Sequence, residues 1–111
     1  MNAPKVLVIG TGEYVTGLVH GSESTSDKGA GIIALTLFDL RERGLISKII
    51  LAGSNGSKFP LVRSHFNQLI AKRYEMDISF QSFPDDDQKD STAWKVALQK
   101  LDPGDAVLVF T

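Results

Sequence analysis

Lys5-Val6-Leu7-Val8-Ile9-Gly10-Thr11-Gly12 is the stretch whose reading decides the fold. An unbroken run of branched apolar residues stops abruptly on Gly-Thr-Gly. Such a run predicts a strand buried on both faces, as in parallel sheets that carry helices on each side. A glycine pair at its carboxyl end lets the backbone turn sharply and approach another group closely. That end is also the edge of an open α/β sheet where ligands bind.

Downstream, the same grammar repeats. Residues 13–27 are rich in Gly, Ser and Thr, with at most a short helical turn between Glu13 and Val19. A connection of this length is unusual between a strand and its helix, and points to function or mobility. A helix is expected from Lys28 to Arg43, capped by Ser26 or Asp27 and stopped at Gly44. Lys48–Gly53 reads as the second strand and closes on the polar turn Ser54-Asn55-Gly56-Ser57. Phe59–Tyr74 reads as a helix with Pro60 in its first turn and an apolar stripe of Phe59, Val62, Phe66, Leu69 and Ile70. Alternation from Asp77 to Phe83 predicts a half-covered strand. After the loop Pro84-Asp85-Asp86-Asp87, a third helix is expected beyond Asp90 or Ser91, with Trp94, Ala97, Leu98 and Leu101 inward. Ala106–Phe110 is the last strand.

The order β-α-β-α-β-α-β implies an α/β fold: a three-layer, Rossmann-like parallel sheet with strand order 3-2-1-4. The 111 residues form one domain, with 42% hydrophobic residues and therefore a packed core. Thr111 falls at the carboxyl end of the fourth strand, so the chain is expected to be a dinucleotide-binding domain incomplete at its carboxyl terminus. The open edge of that last strand predicts either self-association, as in a homo-oligomer, or limited solubility of the isolated chain.

Composition excludes several function classes. Twelve Lys and Arg balance thirteen Asp and Glu, which argues against a nucleic-acid binder. With no cysteine there is no disulfide framework, zinc thiolate or thiol nucleophile. No signal peptide and no apolar run of membrane-spanning length are visible, so a soluble cytoplasmic protein is expected, without membrane partners.

Gly10-Thr11-Gly12-Glu13-Tyr14-Val15 supplies the first two glycines of the dinucleotide fingerprint and places Val15 where the third belongs. Backbone amides there would face a pyrophosphate. Lys28 and the amides of Gly29 to Gly31 could add to that grip; equally, these glycines serve close helix–sheet packing. A P-loop is rejected because Leu18-Val19 stands where its Lys-Ser/Thr is required. Gly53-Ser54-Asn55-Gly56-Ser57-Lys58 contains no carboxylate to accept from a ribose 2′-hydroxyl, whereas Ser54, Asn55 and Lys58 suit a 2′-phosphate. NADP(H) is therefore expected over NAD(H). His20 and His65 read as surface histidines, His65 on the polar side of its helix, and Asp85–Asp87 as a solvated loop rather than a metal site. Trp94 reads as core. Tyr14 either flanks a nicotinamide or substrate, or packs.

The glycine turn, the Leu51–Lys58 segment and the closing Val107-Leu108-Val109-Phe110-Thr111 resemble the amino-terminal half of the glucose–fructose oxidoreductase/inositol dehydrogenase family of NAD(P)-dependent oxidoreductases. The resemblance implies a cofactor-binding domain of an enzyme acting on a sugar or polyol-like alcohol as its small-molecule substrate. It assigns Gly10, Thr11, Gly12, Glu13 and Tyr14 to the pyrophosphate and nicotinamide side. Ser54, Asn55 and Lys58 go to the adenosine ribose or its phosphate, and Thr111 to the nicotinamide ribose. By the resemblance, the family's catalytic lysine, in a Glu-Lys-Pro motif, is expected beyond the end of this chain, so no catalytic residue is assigned within it. A non-catalytic NAD(P)-binding regulator or sensor is the alternative. A bare α/β domain whose glycines only turn the chain is the third reading.

Overall fold

The computed structural model describes residues 3–19, 22–23 and 31–110. Four parallel strands form its centre: β1 (Val6–Ile9), β4 (Ile49–Ala52), β5 (Gln81–Phe83) and β6 (Ala106–Val109). Their spatial order is β5-β4-β1-β6, which in the numbering of the parallel strands alone is 3-2-1-4. Val6 pairs with both Ile49 and Ala106, and Ile9 with Ala52 and Val109, so β1 is central and in register on both sides.

The two faces of the sheet are covered unequally. Val6, Val8, Ile49 and Leu51 point to the larger core, which includes Phe38 of α2 (Ile32–Glu42) and Phe59, Val62 and Phe66 of α3 (Phe59–Phe66). The Phe66 ring meets the edges of Phe38 and Phe80 at centroid distances of 5.3 and 5.8 Å, a geometry favoured by the aromatic quadrupole. Leu7, Ile50 and Ala52 point to the opposite face and pack against Ala97 of α5 (Ala93–Leu98). α5 leaves β6 uncovered there, so Val107 and Val109 are 40% and 60% exposed. No strand pairs with the outer edge of β6 among the described residues.

Several expectations are corrected. The first long helix begins at Ile32 rather than Lys28, because Gly31 at its N-cap adopts φ +77°. A Cβ at Gly31 would stand 2.5 Å from the carbonyl oxygen of Val15, so only glycine lets this helix start approach the preceding segment. The expected caps Ser26 and Asp27, and Lys28 to Ala30, lie outside the described residues, as does His20. Between the glycine turn and α2 the chain forms α1 (Glu13–Thr16) and then an antiparallel pair, β2 (Leu18–Val19) with β3 (Ser22–Glu23). Composition gives no sign of that pair.

The second helix is continuous but not uniform. A 3₁₀ turn at Gly56–Lys58 leads into α3, a π turn follows at Asn67–Ala71, and α4 (Lys72–Tyr74) ends at Glu75 with φ 54°. His65 is buried at 7% exposure, its ring 6.4 Å from that of Phe66, and does not lie on a polar surface. The third parallel strand is shorter than its alternating pattern suggests. Arg41 donates to the carbonyls of Asp77 (2.9 Å) and Ser79 (2.7 Å), and the Asp77 carboxylate accepts from the Ser79 amide, so residues 77–80 are held outside the ladder. Trp94 and Leu98 are 38% and 37% exposed. Ala93 and Ala97 face the sheet instead, since two small side chains let α5 lie close to it.

Candidate functional site

α2 and α3 cover one face of the sheet and α5, which precedes β6, covers the other. The crossovers therefore part company between β1 and β6, and the turn Gly10-Thr11-Gly12 emerges at the carboxyl edge of that switch point. The domain is thus a Rossmann-like α/β unit, with its first turn where such sheets take ligands. No family model matches the chain, and no curated protein and no solved structure is significantly similar to it.

Within the turn the three residues have different tasks. Gly10 has φ +122°, a conformation that L side chains rarely adopt, and a Cβ there would overlap the Phe110 carbonyl oxygen and lie 3.1 Å from its carbon. Its amide donates to Ala52 (2.9 Å), and the Phe110 amide donates to Ile9 (2.8 Å). Gly10 therefore closes β1 against its two neighbours. Thr11 is buried, and its side chain lies over Gly53: a Cβ at Gly53 would meet Thr11 Oγ1 at 3.0 Å. Gly12 is exposed, has no atom within 4 Å of where a Cβ would stand, and adopts no positive φ. Its carbonyl accepts from the Val15 and Thr16 amides and from Thr16 Oγ1 (3.0 Å), which anchors α1 behind the turn. The amides of Thr11 and Gly12 donate to no acceptor among the described residues. Two unpaired donors beside an exposed glycine can receive an anion.

The second cluster lies at the end of β4. Asn55 Oδ1 accepts from the Ser57 amide (3.1 Å) and hydroxyl (2.7 Å), capping the 3₁₀ turn, so this oxygen is committed to local structure. Ser54 is exposed, and its carbonyl accepts from the Asp90 amide at 2.8 Å. Lys58 reaches back from the 3₁₀ turn, placing Nζ 3.3 Å from both the carbonyl and the hydroxyl oxygen of Thr11. The structure thus brings Gly10, Thr11, Gly12 and Lys58 together, with Ser54 and Asn55 at the end of the neighbouring strand. The backbones of Glu13 and Tyr14 form the start of α1; their side chains, and Thr111, lie outside the described residues.

Sequence reasoning missed one component. The loop after β5 folds back over the β4 turn: the Gly56 amide donates to Gln88 (2.8 Å), and Asn55 forms an antiparallel bridge with Lys89. Gly56 is buried against this loop, since a Cβ there would overlap the Asp85 carbonyl. Arg63 fixes the loop from α3, pairing with Asp86 at 2.8 Å and donating to Ser82 Oγ at 2.7 Å while its guanidinium lies over the rings of Phe59 and Phe80. The Asp90 carboxyl is held below the usual carboxylate range by the Thr92 hydroxyl and amide that donate to it. The acidic loop is therefore packed against the turn that follows β4. Only Gly56, a glycine in a tight place, hints at this in the sequence. Among the described residues no cluster of three or more His, Asp or Glu could hold a metal ion, and no helix is long and apolar enough to cross a membrane.

Proposed function

We propose that this chain is the nucleotide-binding domain of an oxidoreductase, that it takes NADP(H) in preference to NAD(H), and that the enzyme acts on a sugar or polyol-like alcohol. The observation that carries the cofactor reading is the exposed Gly12 at the switch point, flanked by amides that meet no acceptor among the described residues and by the Lys58 ammonium. The geometry supports a pyrophosphate over the turn and a ribose beyond the end of β4. Preference for NADP(H) rests on the absence of a carboxylate from Gly53 to Lys58. The substrate class rests on the family resemblance of the glycine turn and the β4 turn. When bound, the nicotinamide supplies hydride transfer at its C4 carbon. The residues of this chain bind and orient it: Gly10 shapes the turn, Gly12 admits the phosphates, and Ser54 and Asn55 border the ribose. Calorimetric titration with NADPH and NADH tests this reading. Tighter binding of NADPH is expected, and failure of both to bind at millimolar concentration would overturn it.

A further inference from the structure

The Lys58 side chain does not lie where its place in the sequence suggests. It belongs to the β4 turn, next to Ser54 and Asn55, yet its ammonium sits on Thr11 of the β1 turn, 47 positions away. The two turns meet at Gly53, where the absence of a Cβ lets Thr11 come close. Both N···O distances are 3.3 Å, longer than the ~2.8 Å of a strong charge-assisted hydrogen bond. Thr11 offers two neutral oxygens, and Lys58 forms no ion pair among the described residues. An ammonium carries three donors, so at least one remains for a ligand. The result is a part-buried cation without an ion pair among the described residues, fixed beside Thr11 and Gly12, whose amides meet no acceptor among those residues.

We infer that Lys58 binds the pyrophosphate shared by all dinucleotides and not the 2′-phosphate that distinguishes NADP(H), leaving cofactor discrimination to Ser54 and Asn55. This inference rests on the cofactor-binding reading and assigns one residue within it. Lys58 then sets affinity, while the β4 turn sets preference. In the free protein Thr11 holds the ammonium in place, so it need not be ordered when the ligand arrives.

The test is titration of the wild-type chain, Lys58→Gln and Lys58→Arg with NADPH, NADH and ADP-ribose, each variant first checked for native circular dichroism. Glutamine keeps a donor for Thr11 and removes the charge. Lys58→Gln is expected to weaken all three ligands by a similar factor, about ten- to a hundredfold for removal of one charge-assisted hydrogen bond, leaving the NADPH/NADH ratio unchanged. It should also flatten the salt dependence of binding, and Lys58→Arg should restore most of the affinity. A weakening confined to NADPH would overturn the inference while leaving the cofactor reading intact. So would unchanged affinity for every ligand, or a uniform weakening that Lys58→Arg does not restore and that leaves the salt dependence untouched. If the wild-type chain binds none of the three, the cofactor reading itself fails and this inference falls with it.

Discussion

The two glycines of the β1 turn stand two residues apart in one motif, yet the structure gives them separable roles, and alanine substitution distinguishes them. In Gly10→Ala the new methyl must be accommodated at φ +122° and against the Phe110 carbonyl. A side chain in such a sparsely allowed region costs about 1–3 kcal/mol. Relieving the overlap also requires the ends of β1 and β6 to separate, which puts the Phe110–Ile9 hydrogen bond at risk, and the Gly10–Ala52 bond on the other side with it. Each is worth about 1 kcal/mol. The sum is roughly 3–5 kcal/mol, a large part of the ~5–15 kcal/mol that holds a domain of this size. Gly12→Ala places a methyl in open space with no backbone strain, so its stability should stay within about 1 kcal/mol of wild type and gain slightly from a stiffer unfolded chain. Urea unfolding followed by far-UV circular dichroism reads both. Equal losses at the two positions, or a neutral Gly10→Ala, would refute this division of labour.

Other outcomes follow from particular interactions. The Asp105 carboxyl is held below the usual carboxylate range by the Asp102 and Lys5 amides that donate to it, aided by the Lys5 ammonium. A depressed folded-state pKa gives stability that is present above the unfolded value, near 3.8, and is lost as pH falls through the folded one. Acid titration of stability should therefore drop less steeply below about pH 4 in Asp105→Asn than in wild type, and identical slopes would contradict the assignment. Trp94, the single tryptophan, is partly exposed with the Lys95 ammonium 5.5 Å from its ring centroid. Acrylamide should quench native fluorescence readily, with only a small emission shift on unfolding; a quenching-resistant native state would contradict that placement. Gly12→Val should fold yet lose dinucleotide binding, because its side chain occupies the space a phosphate would take; retained affinity would favour a turn with no ligand.

How much of the structure is legible in the sequence depends on the range of the interactions involved. The buried strands are legible because Val6–Ile9 and Ile49–Ala52 are apolar on both faces, and that pattern has few other solutions. The parallel sheet follows from the alternation of elements, and its 3-2-1-4 order from the dinucleotide-type winding that the glycine turn suggests. Local inference fails where the deciding interaction is made at long range. Phe80 alternates like a strand residue, yet it packs on Phe59 and Phe66 from a segment that Arg41 holds by its carbonyls. Trp94 has the spacing of a core residue, but the two alanines on its helix decide which face approaches the sheet. His65 falls among polar neighbours in sequence, yet it is buried, with the Phe66 ring 6.4 Å away. At the candidate site, the glycine turn is visible as a motif. The back-reaching Lys58 and the loop folded onto Gly56 depend on packing between turns far apart in the chain.

On the proposed function, the switch-point turn holds a dinucleotide phosphate and the β4 turn favours the 2′-phosphorylated form. Isothermal titration of the wild-type domain with NADPH and with NADH at one ionic strength addresses both parts. Saturable binding of NADPH is expected, with NADH weaker by about tenfold or more, the scale of one hydrogen bond to a charged phosphate. Equal affinity, or a preference for NADH, would contradict the cofactor assignment, and no heat from either at millimolar concentration would contradict the claim as a whole.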